Sequence, residues 1–317
     1  MGSLPFEGLK RKIIVKTEAK GEFGTEPENR KTEDLVLFGF VNIDKPSGPT
    51  SHNVAAFVRQ ILHIEKAGHS GTLDPAVTGC LPVALERATR LNEEMLPAGK
   101  EYVCVMHVHE EIGKEKIKKE LEEFVGKITQ LPPRKSAVKR AEREREIYYL
   151  EVLEVKGKDV LFIVGCESGT YIRKLCHDFG EKIKTGAHMK ELRRTKAGPF
   201  DESSLCTLQE LKDAYVFWTE KQDDKLLRKC ILPAEKAVEY VAKVWILDEE
   251  IKKVSHGRNI FADKISKLNE FEKEDVVAIM TLKGEVIAIG EALMSSSEIL
   301  KKNSVAVKTR KVLIEKI

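Results

Sequence analysis

The stretch "HSGTLDPAVTG", residues 69–79, sets a carboxylate, Asp74, in a turn interrupted by Gly and Pro that opens onto the apolar run "CLPVAL". The carboxylate has two readings. Asp-Pro starts turns and Asp caps helices, and for these eleven residues alone that account suffices. A reacting group is the other, because a carboxylate serves as nucleophile or general base. Other stretches supply groups that would serve it. Tyr102 opens a strand in "GKEYV", and Tyr171 and Arg173 lie where a strand enters a helix in "GTYIRKL". An arginine beside a carboxylate orients it and favours its ionised form. Aromatic faces accept unstacked and flipped bases. Taken singly, these residues also describe core tyrosines and a solvent-facing arginine.

Competing chemistries find less support. The six cysteines are scattered without a CxxC pair, where a tetrahedral zinc site usually shows two close ligand pairs. Cys176 and His177 are adjacent and diverge on helix or strand. His107 and His109 share a strand face, but no second pair follows them in sequence. The expectation is no metal. Hydrophobic residues make up 42% and charged residues 33% of 317, ordinary for a soluble globular chain of about two domains. No apolar run reaches the roughly 18 residues of a bilayer span, and no secretory h-region opens the chain, so a cytoplasmic protein with no membrane partner is expected. Net charge is only +3, yet "RKSAVKRAERER" (134–145) and "EKIKTGAHMKELRRTK" (181–196) each hold six basic and two acidic residues. They read either as solvated helix faces or as phosphate-contacting patches.

The elements around these residues follow from periodicity. Residues 1–35 form a charged arm. "LVLFGFVNIDK" predicts a strand ending at Lys45-Pro46, and Ser51 caps a helix over "HNVAAFVRQILHI". "EYVCVMHVH" alternates as a strand, "KEKIKKELEEFVGKI" is a helix ended near Gly126, and two strands meet at Lys156-Gly157-Lys158. "YIRKLCHDFGEKI" and residues 202–229 read as helical. Beyond residue 240 a short helix, a hairpin at Lys283-Gly284-Glu285 and a final strand make a small strand-rich unit.

In order along the chain, "VNIDKPSGPTSH", "GHSGTLDPAVTGCLPVALERATR", "KEYV", "GTYIRKL" and "ELRRTKAGPF" resemble the five motifs of the TruB-type pseudouridine synthases, over residues 38–205. The charged arm, "SAVKR" and a C-terminal region similar to a PUA RNA-binding domain resemble the dyskerin-like branch, the catalytic subunit of box H/ACA ribonucleoproteins. The chain ends at Ile317 without a lysine-rich tail, which fits the archaeal form. One departure stands out: Leu131, not Arg, precedes Pro132-Pro133, and Arg134 follows.

The resemblance implies an α+β fold. A mixed, largely antiparallel sheet would carry the catalytic domain (36–240), with a small β-barrel-like PUA domain (241–317) embraced by an N-terminal extension (1–35). It implies isomerisation of uridine to pseudouridine in RNA, with no cofactor and no metal. Asp74 would be the essential carboxylate, as nucleophile or as base on the sugar. Arg173 would pair with it, Tyr102 would stack on the flipped uracil, and Tyr171 and Leu192 would wall the pocket. His69 is either a core histidine or a group holding the RNA open, and Lys45 and Pro46 shape the site rather than react. An isolated carboxylate at a buried edge would suit a dry pocket around one extruded base. The implied partners are a box H/ACA guide RNA, target RNA (rRNA, with tRNA as a further target) and three small proteins. A guide-independent synthase acting on the tRNA T-loop and a non-catalytic RNA-binding scaffold are the alternatives.

Overall fold

The computed structural model describes residues 2–132 and 141–316. The first nine strands are β1 (Ile13–Val15), β2 (Gly39–Lys45), β3 (Ala67–His69), β4 (Thr78–Leu85), β5 (Lys100–Val108), β6 (Gly126–Gln130), β7 (Arg143–Lys156), β8 (Asp159–Cys166) and β9 (Ala187–Ala197). All but β1 lie in one sheet, whose order runs β2-β4-β9-β5-β8-β7-β6 with β3 on β4. Short strands β10 (Phe200–Asp201), β11 (Leu205–Cys206) and β12 (Ile231–Pro233) join it at β9 and β2. Only β4 with β9 and β2 with β11 run parallel, so the expected mixed, largely antiparallel sheet is what forms.

Helices α1 (Thr32–Leu37), α2 (Ser51–Ile61), α3 (Asn92–Met95), α4 (Lys114–Glu122), α5 (Ile172–Lys182) and α6 (Leu208–Lys221) cover it. Ile172, Leu175, Cys176 and Phe179 recur at helical spacing on α5 and bury against Cys104, Met106, Phe162 and Val164. Val54, Ala55 and Val58 of α2 pack with Leu81 and Val83 of β4 and with Leu211 and Ala214 of α6. No helix among the described residues is long and apolar enough to cross a membrane.

Local readings differ at several ends. Leu35 and Val36 are helical, not strand, because both bury their side chains in the core beside α2 while the strand starts at Gly39. The cap of α2 is Thr50, whose hydroxyl accepts from the Asn53 N–H at 3.1 Å in a reciprocal capping box, rather than Ser51. The helix predicted to end near Gly126 stops at Glu122, and residues 126–130 are strand. Residues 187–197 are strand too, so the helical-face reading of that basic stretch fails.

The remaining strands, β13 (Ala242–Ile246), β14 (Ile260–Phe261), β15 (Ile265–Asn269), β16 (Val276–Met280), β17 (Val286–Ala292) and β18 (Val305–Val312), form a second sheet. Strand β1 of the arm completes its edge, pairing Ile13 to Asn269 and Val15 to Lys267. Arg30 fastens the arm further. Its buried guanidinium donates to Glu235 at 2.9 and 3.1 Å and to Glu285 at 3.2 Å, one carboxylate before the second sheet and one in its β16–β17 turn.

The halves of the large sheet meet at a narrow seam, where Thr78 and Gly79 pair with Arg193 and Arg194. Gly79 has φ +98°, and a Cβ there would sit 2.2 Å from the Arg194 carbonyl oxygen. At Gly48, φ is +116° and nothing lies within 4 Å of a built Cβ. Gly79→Ala is expected to cost about 2–4 kcal/mol in urea unfolding, from strain plus collision, and Gly48→Ala about 1 kcal/mol, from strain alone. Equal losses would show that the seam yields freely.

Candidate functional site

Asp74 lies in the loop between β3 and β4, and that loop is fixed from both sides by buried polar groups. Lys45, closed to solvent at the end of β2, donates from Nζ to the carbonyls of Pro46, Pro75 and Val77 at 2.9, 2.9 and 2.8 Å. Burial first, then the Arg194 charge, lowers its pKa, with Asp74 opposing. Arg194, 1% exposed on β9, donates to the Cys80 carbonyl at 2.7 Å and twice to Gly71 at 3.1 and 3.2 Å. The Ser51 hydroxyl, at the start of α2, accepts from the Leu73 N–H at 2.9 Å. Leu73 and Val77 anchor the loop in the core, leaving Asp74 between them pointing outward.

The partner expected from sequence is in place. Arg173 Nη2 donates to Asp74 Oδ2 at 2.6 Å from the first turn of α5. Both side chains are 50% exposed. An ion pair this wet contributes about 0–1 kcal/mol to stability, so its consequence is orientation. Tyr171 sits just before the helix and is clasped by Gln130. Its N–H donates to Gln130 Oε1 at 2.9 Å, and Gln130 Nε2 donates to its carbonyl at 3.1 Å. Gln130 went unnoticed in the sequence. Its signal was a lone amide ending a strand directly before Leu131-Pro132, and Pro132 is buried.

These groups line a cleft of about 320 Å³ whose walls include Leu73, Asp74, Val77, Lys100, Tyr102, Tyr171, Arg173, Leu192 and Arg194. Tyr102 is 8% exposed and faces Arg194 across the β5–β9 pair. Burial raises its phenol pKa, with Arg194 opposing, so the ring is a neutral apolar floor. Lys100 went unremarked as an individual residue. It is buried, and its Nζ donates to the carbonyls of Met95, Leu96 and Ala98. Burial, then Arg194, pushes its amine down to about 7.

Other expectations land differently. The pocket is not dry, because Asp74 and Arg173 stand half in solvent at its mouth. His69 ends β3 outside the cleft lining; its Nδ1 is buried and unpartnered among the described residues. Its pKa is lowered by burial and then by Arg194 and His52, which favours neutral imidazole. The basic stretch at 181–196 is largely consumed internally. Lys182 meets Glu120 and Glu123, Lys190 meets Asp159, Arg193 meets Asp44 and Glu202, and Lys196 meets Glu7. Residues 133–140, with Pro133, Arg134, "SAVKR" and most of the other basic stretch, lie outside the described residues.

The chain matches the TruB family pseudouridylate synthase N-terminal domain over 59–115 and 108–172, and the tRNA pseudouridylate synthase B C-terminal domain over 173–239. A PUA domain matches 242–313 and a DKCLD (NUC011) domain 4–55. It is 50% identical to a probable tRNA pseudouridine synthase B of Pyrococcus abyssi over 96% of this chain and 93% of that one. Identity to the Methanothermobacter thermautotrophicus protein of the same description is 52%, over 93% and 91%. Among solved structures, a chain of a Cbf5–Nop10–Gar1 complex superimposes with a TM-score of 0.94 at 50% identity, covering 99% and 97%. A chain of an H/ACA ribonucleoprotein bound to a substrate RNA containing 2′-deoxyuridine gives 0.92 at 47%, covering 98% and 97%.

The Lys100 amine gives the site a stability signature. Below about pH 7 both native and unfolded chains carry its proton, and the burial penalty is complete. Between about 7 and the ordinary 10.5 the unfolded chain keeps a proton that the native chain has lost, so stability rises with pH through that window. The gap in unfolding free energy between wild type and Lys100→Met should change by up to about 1.4 kcal/mol per pH unit there. Urea midpoints across the window measure it, and a flat difference would show that the amine keeps its proton.

Proposed function

The chain belongs to the TruB family of pseudouridylate synthases, and on that footing we propose that Asp74 is its reacting carboxylate, in an RNA-guided uridine isomerase. The observation that carries the assignment is the Asp74–Arg173 contact at the mouth of a cleft floored by Tyr102. The net reaction breaks the N1–C1′ bond and forms a C5–C1′ bond. The C5 hydrogen leaves to solvent and N1 gains a proton, so the product is an isomer and no electrons are exchanged.

Each neighbour then has a physical task. Arg173 holds one carboxylate oxygen, which leaves Oδ1 for the sugar, whether Asp74 attacks as nucleophile or removes a proton as base. Tyr102 offers a flat, neutral, buried face for the flipped uracil, and Tyr171 and Leu192 close the sides. Lys45 and Pro46 set the loop's shape, Lys45 with all three ammonium protons on carbonyls. His69 borders the site from β3, where a neutral imidazole suits contact with RNA bases.

Box H/ACA guidance rests on the likeness to chains crystallised with Nop10 and Gar1 and with a substrate RNA. On that reading the partners are a guide RNA, target RNA and three small proteins, and the compartment is the cytoplasm. We divide the chain into an extension (1–35), a catalytic domain (36–240) and a PUA domain (241–317) that holds the guide. The relatives described as tRNA pseudouridine synthase B favour a second activity on tRNA without a guide.

Release of tritium from RNA labelled at uracil C5 measures the reaction. It is expected with a matching guide, target and partner proteins, and bare tRNA run in parallel reads the second activity. Asp74→Asn should lower the rate by at least roughly 10³-fold, about 4 kcal/mol in the barrier, without weakening guide-RNA binding. Arg173→Lys keeps a charge but loses the planar donor and should cost roughly 10–100-fold. Unchanged release by Asp74→Asn would remove Asp74 from the chemistry. Guide binding by wild type without release would favour the scaffold alternative.

A further inference from the structure

Helix α5 carries Tyr171 at its cap and Arg173 in its first turn, yet its own sequence makes a poor helix start. A tyrosine occupies the cap position, and its side chain makes no capping hydrogen bond. The first turn holds no acidic residue but two cations, Arg173 and Lys174, where the helix dipole favours anions. Both are drawn off by carboxylates, Arg173 by Asp74 and Lys174 by Asp178 one turn on. A start of this kind frays unless something outside the helix holds it.

Gln130 supplies that hold. It is 2% exposed and ends β6, the last strand in the order of the large sheet. Its amide satisfies the N–H and the carbonyl of Tyr171 together, at 2.9 and 3.1 Å, as a neighbouring strand would. The bond to the cap N–H is the one that Glu or Gln at the third helical position makes in a capping box. Here that position is Lys174, and Gln130 makes the bond from 41 residues away. The Tyr171 carbonyl also accepts the first helical bond, from the Leu175 N–H at 3.0 Å, so the clasp bears directly on the helix.

A second tie lies just upstream. The Glu167 N–H donates to the Glu146 carbonyl at 2.8 Å, and the Glu146 N–H donates to Glu167 Oε2 at 3.2 Å. The turn before Tyr171 is thereby fastened to β7. Strands β6 and β7 thus hold the start of α5 with buried or main-chain bonds, while the Asp74 side meets it through a half-exposed ion pair.

We propose that Gln130 is a positioning residue for the isomerisation: by clasping Tyr171 it fixes the first turn of α5, and through it the Tyr171 side chain at the cleft and the Arg173 guanidinium on Asp74. The inference rests on the reading of Asp74 as the reacting carboxylate. Gln130 is not part of the cleft lining, so it acts through these two residues and not on the RNA. Orientation matters in the reacting complex more than in the encounter. Losing the clasp therefore lowers the rate at saturation and leaves target binding alone.

The test is single-turnover tritium release by the full chain assembled with guide, labelled target and partner proteins, over a range of particle concentrations. Gln130→Met keeps the length and loses both bonds. It should lower the saturated rate roughly 10-fold, with half-saturation within about twofold of wild type. Gln130→Glu keeps the acceptor for the Tyr171 N–H and, when ionised, lacks the donor for the carbonyl. Burial raises the pKa of such a carboxyl, so its rate relative to wild type should rise about threefold from about pH 8 to about pH 6 as the donor returns. A loss of helix stability alone would not give that recovery. Thr129→Ala, exposed on the other face of β6, should match wild type.

Circular dichroism and guide-RNA binding check folding, and Gln130→Glu carries the test if Gln130→Met does not fold. Wild-type saturated rates in the Gln130 variants, a loss confined to half-saturation, or a Gln130→Glu ratio flat with pH would overturn the proposal. Asp74→Asn run alongside separates the two readings. If it is inactive, such a result removes Gln130 alone; if it releases tritium at the wild-type rate, the reading of Asp74 fails.

Discussion

Two cations buried behind the Asp74 loop set the geometry on which the rest of the site depends. Taking an ammonium or guanidinium out of water costs several kcal/mol unless its donors are satisfied. Lys45 and Arg194 satisfy theirs with main-chain oxygens instead of carboxylates, on Pro46, Pro75 and Val77 in one case and on Gly71 and Cys80 in the other. Each bond fixes a backbone position on one side or the other of Asp74. Loop shape is therefore settled by the protein alone, before any ligand arrives, while the Asp74 side chain stays in water. A catalytic carboxylate needs that combination of fixed origin and accessible oxygen.

The same cations shape the field in the cleft. Lys45, Arg173 and Arg194 stand around one carboxylate, a field that attracts a sugar–phosphate chain. Arg173 is the exposed member, and its contact with Asp74 adds little to stability. It acts by direction. On the proposed reading, a base covering the mouth would displace water, so that the same contact operates at lower dielectric and strengthens. The open, half-wet cleft of the free chain and a dry reacting pocket would then be two states of one arrangement, separated by the RNA.

Much of this could be read from the sequence, and the failures share a cause. Asp74, Tyr102, Tyr171, Arg173 and Leu192 belong to ordered motifs, and the structure brings all five to one cleft. Strand alternation gave β5 and the β7–β8 hairpin because one face of each is buried and the other is not. Residues defined by a distant partner stayed hidden. Arg194 lies in a run of basic residues indistinguishable from a solvated surface, and it is buried where β9 runs between β4 and β5. Gln130 and Tyr171 are 41 positions apart, and His188 is 79 from His109. No local pattern encodes such pairings. The cap of α2 was missed by one residue because Thr50 and Ser51 are equivalent as types. Ser51 is occupied instead by Leu73 of the Asp74 loop.

The irregularity in the β5–β9 pair shows how one strand can serve two faces. In an unbroken strand, residues three apart point to opposite sides, so Met189 and Leu192 could not both wall the cleft. Both do. The register passes from Val105–Glu191 to Met106–Met189, and the skipped residue, Lys190, absorbs the change of side. The same extra residue turns His188 onto the face of its partner His107, away from the cleft. Removing it to regularise the strand would restore alternation. Either Met189 or Leu192 would then leave the cleft, and His188 would part from one of its imidazole neighbours. The bulge thus couples the shape of the cleft to the opposite face of the sheet, where His107 and His188 meet.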